Sequence, residues 1–178
     1  RVDRPDLFAW AQQSILRLQR KSVPQLMVMH TRSRLIAPEM LEQMKSDDFV
    51  RHATTDAAET VPKDFFSKQM AKLAARWTKG IPRGWPQINR ILQKLRSEYV
   101  HDRSHVIDPK FVNPTAAFVL SERRGPDYLF ASAAAVMLRS LEYPTRLVSG
   151  FYASPERFDP ESGQTAVLKE DVHFWCEV

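Results

Sequence analysis

Three side chains in the C-terminal third of the sequence have chemistry suited to catalysis: Asp127, His173 and Cys176. An ionised cysteine is the strongest nucleophile of the three, and histidine is a common proton acceptor beside one. Cys176 follows His173 by three positions, in a stretch that alternates as a strand does. Because side chains alternate along a strand, residues three apart face opposite sides of the sheet. If His173 faces a cleft, Cys176 faces away, and we interpret it as a small core residue.

Asp127 is expected at the start of a helix. It follows the turn-forming pair Gly125 and Pro126, and Asp is among the residues preferred at a helix N-cap. The helix dipole and the free amides of the first turn stabilise a carboxylate in its charged form, which weakens it as a nucleophile. Its attack on an unactivated amide would also produce an anhydride, which is less stable than the amide. We therefore predict that Asp127 caps the helix and forms no covalent intermediate.

Helices come first in the chain and strands later, which favours an α+β fold. Apolar periodicity and helix-start signals predict helices over residues 6–18, 38–44, 62–77, 85–99 and 113–120, and a largely buried helix over 127–141. Strands are predicted over 145–152 and 171–178, and a brief one over 165–168. Residues 46–59 are polar without a clear period, which indicates a loop. The predicted domains are an N-terminal helical region, residues 1–60, and a core, residues 61–178.

Several motifs in the core resemble those of the transglutaminase-like superfamily, which has the papain-like fold. The family pattern is Gly-x-Cys-x-x-Phe-Ala, a helix ending in Leu-Arg-x-x-x-x-Pro-x-Arg, and then Val-x-Gly-Tyr. The matching residues are Gly125, Phe130, Ala131, Leu138, Arg139, Pro144, Arg146, Val148, Gly150, Phe151 and Tyr152. Residues 173–178 resemble the family's His-Ala-Trp-Val-Glu-Val strand. The resemblance covers roughly residues 70–178 and implies a central helix packed on an antiparallel sheet.

One position departs from the family pattern, because Asp127 stands where the family has its nucleophilic Cys. In the family, a thiolate at the helix start attacks a glutamine or peptide carbonyl, with help from a neighbouring His. By this resemblance, His173 takes the general-base position and is an ion-pair partner for Asp127. The third member of the triad would lie beyond Val178. The resemblance thus implies a sheet that is incomplete at the chain end, and we expect a longer polypeptide or another chain to cover its open edge.

No metal or cofactor is predicted. Asp127, His173 and a downstream carboxylate would be a plausible ligand set, but two known ligands are too few. His101 and His105 would have ligand-like spacing on a helix, but they fall in an irregular stretch and read as ordinary loop histidines. The single cysteine excludes a disulfide within the chain and a finger-type zinc site.

The composition is that of a soluble globular protein, with 43% hydrophobic and 26% charged residues. The net charge is +5, but basic residues are interleaved with acidic ones, so we expect no nucleic-acid partner. No apolar run is long enough to cross a bilayer. The resemblance is compatible with an extracytoplasmic domain of a larger bacterial membrane-associated protein.

Two functions of different classes follow. The first is a transglutaminase-like domain that has lost thiol acyl transfer and acts as a binding or structural module, with a peptide, a cell-wall element or a partner domain as its ligand. The alternative is an active acyltransferase or hydrolase with altered site chemistry. No substrate-binding residue is predicted for either.

Overall fold

The fold is described from a computed structural model. The structure describes residues 8–10, 16–18, 37–44, 61 and 64–178. The chain divides into two compact units, residues 1–37 and 38–178. None of the helices within the described residues combines the length and the apolar character that crossing a bilayer requires.

In the first unit, the described residues form two short antiparallel strands, β1 (Phe8–Trp10) and β2 (Leu16–Leu18), with Phe8 opposite Leu18. The prediction of a helix over residues 6–18 is therefore wrong for these residues. In the sequence of each triplet, one large apolar residue precedes and another follows a single small or charged residue. This period of two, with the β-propensity of the aromatic residues, outweighs the helical spacing of the longer segment.

The segment predicted to connect the N-terminal region with the core, residues 46–59, lies outside the described residues. The domain division predicted at residue 60 therefore stays a prediction. The helix predicted over residues 38–44 is described, and the structure confirms it as α1 (Pro38–Gln43).

Two amphipathic helices follow as predicted, α2 (Phe65–Trp77) and α3 (Trp85–Glu98). Asp64 caps α2, because its carboxylate accepts a hydrogen bond from the amide of Ser67 at 2.8 Å. Pro86 lies in the first turn of α3, where its missing N–H leaves no intrahelical bond unmade. Both helices direct an apolar face into the core.

The segment after α3 contains two short strands and a short helix, and it leads to the start of the next long helix. Strand β3 (Val100–His101) pairs in parallel with β4 (Arg124–Gly125). Between them, α4 (Pro114–Ala117) is capped by Asn113, whose side chain accepts from the amide of Ala116, and continues into one π-helical turn. The N-cap role predicted for Asn113 is thus confirmed.

Helix α5 (Asp127–Ser140) is the centre of the second unit and packs against α2 and α3. Small buried residues, Ala133 and Ala134 among them, allow the neighbouring helices to approach closely. The large side chains around them are fully buried, and each such burial contributes roughly 1.5–3 kcal/mol. They include Met70, Ile91, Phe118, Leu129, Met137 and Leu138.

The principal sheet of the described residues has two antiparallel strands, β5 (Arg146–Phe151) and, last in the chain, β8 (Val172–Glu177). The register places Gly150 opposite His173 and Val148 opposite Trp175. A short antiparallel pair lies between them in sequence, β6 (Phe158–Asp159) and β7 (Gln164–Thr165). β8 packs on α5. The predicted α+β class, with a central helix packed on an antiparallel sheet, is confirmed.

Candidate functional site

Asp127 is the first residue of α5, and Pro126 is the N-cap. The prediction that Asp127 caps the helix is therefore wrong by one position. Pro126 has extended backbone angles, φ −72° and ψ 166°, which suit an N-cap, so residue 127 already lies within the helix. Its Oδ1 accepts only from the adjacent amide of Tyr128, at 2.9 Å, and no side-chain bond caps the helix.

Gly125 allows the start of α5 to lie against the core. A Cβ at this position would be 2.7 Å from Leu129 Cδ1 and 3.3 Å from Phe118 Cδ2. Distances this short require the neighbours to move. The glycine that precedes Asp127 is thus explained by close packing rather than by an unusual backbone angle.

The carboxylate of Asp127 accepts hydrogen bonds from three groups. Oδ1 accepts from Tyr128, whereas Oδ2 accepts from the amide of Phe174 at 3.1 Å and from His173 Nδ1 at 2.7 Å. The side chain is only 13% exposed. The start of α5 is therefore attached directly to β8, on which His173 and Phe174 lie.

His173 is oriented on two sides. Because an ionised carboxylate only accepts hydrogen bonds, the contact with Asp127 assigns a proton to Nδ1. The imidazole also stacks on the indole of Trp175, with ring centroids 5.9 Å apart and planes inclined by 20°. The side chain of His173 is still 42% exposed, so solvent or a ligand reaches it.

Cys176 packs against the hydrophobic core, as the sequence predicts. It is half-buried and is the one cysteine of the chain. Burial raises the pKa of its thiol, with a smaller contribution from the charge of Glu177. A thiol in this environment is a poor nucleophile, because the thiolate is the reactive form.

A groove of about 350 Å³ lies beside Asp127. Residues from the loop after β3, from the start of α5 and from the start of β8 line it, namely Arg103, His105, Val106, Pro126, Asp127, Tyr128, Glu170 and Val172. The guanidinium of Arg103 donates to the backbone oxygen of Glu170 at 2.8 Å and so joins two of these segments. The imidazole of His105 pairs with the carboxylate of Glu122.

Apart from Asp127, no groove residue received a functional role from sequence reasoning. Arg103 and Glu170 are separated by 67 positions and belong to no motif, so no pattern in the sequence relates them. His105 reads as an ordinary loop histidine from its sequence, and the structure places it in the groove wall. Tyr128 is adjacent to Asp127, and its half-exposed ring meets Phe174 edge-on, at 6.2 Å between centroids.

Within the described residues there is no cluster of three or more His, Cys, Asp or Glu side chains with the geometry of a metal site. Asp127 and His173 bind each other, which leaves a pair rather than a ligand set.

The family model of the transglutaminase-like superfamily matches residues 71–178, which is more than half of the chain. The chain belongs to the transglutaminase-like superfamily. The matched part of this transglutaminase-like chain contains α3, α5 and the paired strands β5 and β8, and therefore the whole site described above. The first unit lies outside it.

The transglutaminase-like core is similar to two crystal structures of the periplasmic domain of TgpA from Pseudomonas aeruginosa, one of them bound to ethylmercury. Both are 20% identical in sequence, with TM-scores of 0.56 and 71% of this chain covered. They are covered to 46% and 44%, so this chain spans less than half the length of those structures. At that identity the likeness shows the fold alone. A comparison with curated protein sequences found no match.

Proposed function

We propose that this transglutaminase-like domain carries Asp127 at the position of the family's nucleophilic cysteine, has lost thiol acyl transfer and acts as a binding module. The observation that carries the proposal is the direct bond between Asp127 and His173, at 2.7 Å. In this arrangement the nucleophile position and the general-base position are engaged with each other. The contact ties α5 to β8 and serves as a structural element beside the groove, which Asp127 lines.

Covalent catalysis by Asp127 is disfavoured by its surroundings. Its carboxylate accepts hydrogen bonds from three donors, the amides of Tyr128 and Phe174 and the imidazole of His173. These bonds stabilise the negative charge and so make the carboxylate oxygens weaker nucleophiles. An acyl-carboxylate intermediate would also be a mixed anhydride, higher in energy than the amide that it replaces. Cys176 does not substitute as nucleophile, because it packs against the core and burial raises the pKa of its thiol.

The groove is the proposed binding surface. Its wall combines a cation, Arg103, with an anion, Glu170, and with the apolar side chains of Val106 and Val172. Neighbouring groups of opposite charge beside apolar surface suit a ligand that itself carries amide groups and charges of both signs. A peptide, or the peptide part of a cell-wall element, has this chemistry. Because the similar TgpA structures are periplasmic domains, we propose an extracytoplasmic location in a larger membrane-associated protein.

A second candidate is a hydrolase in which Asp127 orients His173 and the imidazole activates a water molecule. The bond from Nδ1 to a carboxylate is the arrangement that orients a histidine base, and the 42% exposure of His173 gives water access to the ring. This reaction needs no thiol.

An acyl-transfer assay tests the loss of activity. We expect no incorporation of a fluorescent primary amine into dimethylated casein by the full chain or by Asp127→Ala. The matched variant is Asp127→Cys, which restores a thiol at the helix start and should be alkylated by iodoacetamide faster than Cys176. Amine incorporation by the unmodified chain that Asp127→Ala abolishes would overturn the proposed loss. Casein cleavage abolished by both Asp127→Ala and His173→Gln would favour the hydrolase.

A binding assay tests the module. The probes are purified cell-wall muropeptides and a mixture of short unstructured peptides, each titrated against the full chain. We expect Arg103→Ala to weaken binding roughly ten- to a hundredfold, since a hydrogen bond to a charged group is worth about 1.5–3 kcal/mol. Lys79→Ala is the control, because Lys79 is exposed and lies outside the groove. Equal affinities for the two variants, or binding of neither probe, would contradict the proposal.

A further inference from the structure

Trp175 lies across the backbone of β5 at Gly150. A Cβ at Gly150 would be 2.9 Å from Cη2 and 3.3 Å from Cζ3 of the indole. The indole is a rigid ring, so it has no flexible end that turns away from such a contact. Gly150 is therefore the residue that permits the indole to approach the backbone of β5 this closely. Its absent side chain serves a residue on the neighbouring strand, since Gly150 itself is paired with His173.

The other end of the indole is held by Glu177. The Nε1–H of Trp175 donates to Glu177 Oε1 at 3.1 Å. The second oxygen, Oε2, accepts from Arg146 Nε at 2.7 Å and lies 2.6 Å from Arg146 Nη2. Both Arg146 and Glu177 are about half exposed, so this pair contributes little to stability by itself. Its geometric effect is to fix the carboxylate and, through it, the plane of the indole.

The plane of the indole bears on His173. The imidazole stacks on Trp175 with an interplanar angle of 20°, while its Nδ1 donates to Asp127. Two independent contacts, one to the ring face and one to a ring nitrogen, leave the imidazole one orientation. Side chains from β5 and β8 thus form a continuous series of contacts that ends at His173, in the order Arg146, Glu177, Trp175 and His173, with Gly150 making room for the indole.

We infer that Trp175 is the positioning residue for His173, and that Gly150, Glu177 and Arg146 hold Trp175 in place for this purpose. The inference rests on the proposed role of the Asp127–His173 contact and extends it. It gives a role to Trp175, Glu177 and Arg146, which line neither the groove nor the buried core. Trp175 acts on the site only through the imidazole of His173.

The orientation of His173 is measured directly by NMR on the full chain with isotope-labelled histidine. His173→Gln identifies the His173 ring signals by their loss. We expect stacking on Trp175 to shift the ring proton signals of His173 upfield. Gly150→Ala and Trp175→Leu should both abolish that shift. Glu177→Ala should reduce the shift without abolishing it.

Ser149→Ala is the matched control, because Ser149 neighbours Gly150 but lies on the opposite face of β5. It should leave the His173 signals unchanged. If Gly150→Ala does not fold, Trp175→Phe carries the same test, since it keeps a ring but loses the bond to Glu177; we expect a partial change. His173 ring signals in Trp175→Leu that match those of Ser149→Ala would overturn the inference. This readout involves neither acyl transfer nor ligand binding, so it separates failure of this inference from failure of the proposed function.

Discussion

Asp127 Oδ2 and His173 Nδ1 lie 2.7 Å apart, although the two residues are separated by 46 positions in the sequence. The contact joins the first residue of the central helix to the second residue of the last strand. It is accompanied by a bond from the next amide, Phe174 N, to the same oxygen. One carboxylate oxygen therefore determines how α5 and β8 meet at the site.

Removal of this carboxylate should destabilise the domain. Asp127→Ala leaves His173 Nδ1 and Phe174 N without their acceptor, and we expect the free energy of unfolding to fall by about 1–3 kcal/mol. Asp127→Asn is the matched control, because it keeps an oxygen acceptor of similar shape and should lose less. Urea unfolding followed by circular dichroism measures both. Equal stabilities of the alanine variant and the unmodified chain would show that the contact is not formed in solution.

The close packing at Gly125 predicts a second loss. Gly125→Ala places a Cβ 2.7 Å from Leu129 Cδ1, so we expect overpacking to cost about 1–3 kcal/mol of stability. The test is a double-mutant cycle with Leu129→Ala, which removes the clashing methyl group. The cost of Gly125→Ala should shrink in the Leu129→Ala background. Strict additivity of the two changes would mean that the helix start has room for a side chain.

Cys176 should react slowly with alkylating reagents in the folded protein. Burial raises the pKa of its thiol above the ordinary value of 9.0, so little thiolate forms at pH 8. We expect iodoacetamide labelling, measured by mass spectrometry, to remain slow at pH 8 and to increase above pH 9. The same protein in urea should be labelled faster at every pH. The thiol ionises at a lower pH in the unfolded chain than in the folded chain. The stability that the protonated thiol contributes to the folded state is therefore lost as the pH rises above 9.0. Labelling of the folded chain as fast as in urea would contradict the buried environment.

Acid should destabilise the segment that leads into β8. Arg157 and the amide of Leu168 donate to the carboxylate of Asp171 at 2.6 Å each, and these bonds lower the pKa of Asp171 from its ordinary value of 3.8. A carboxyl with a lowered pKa stabilises the folded state above its unfolded pKa, and this contribution is lost as the pH falls below 3.8. Thermal unfolding from pH 6 to pH 2 should show a smaller acid-side decline for Asp171→Asn than for the unmodified chain.

The control for this measurement is Glu161→Gln, which removes an exposed carboxylate from the preceding turn. It should retain the acid-side decline of the unmodified chain. If Asp171→Asn declines as steeply as Glu161→Gln, the ion pair with Arg157 does not contribute to the stability of the folded state.

Local signals in the sequence predicted most of the long elements. Pro86 at the start of α3, Asn113 before α4 and the buried small residues of α5 are recognisable within a few positions, because capping and periodicity are properties of neighbouring residues. The same reasoning failed at residues 6–18. There, two triplets of alternating residues pair as strands, and the choice between helix and strand depends on a partner segment that periodicity does not show.

The sequence by itself determined the family and showed that Cys176 is the one thiol of the chain. It also placed Asp127 in a motif at the start of a helix and His173 in a motif on a strand. Only the tertiary structure decided which atoms meet. In the structure, Asp127 is the first residue of the helix rather than its cap, and its Oδ2 accepts from His173. Trp175 lies close to Gly150, and Arg103 donates to the backbone oxygen of Glu170. Motifs specify residue types at local spacing, whereas contacts across dozens of positions depend on how a packed helix and a paired strand are placed relative to each other.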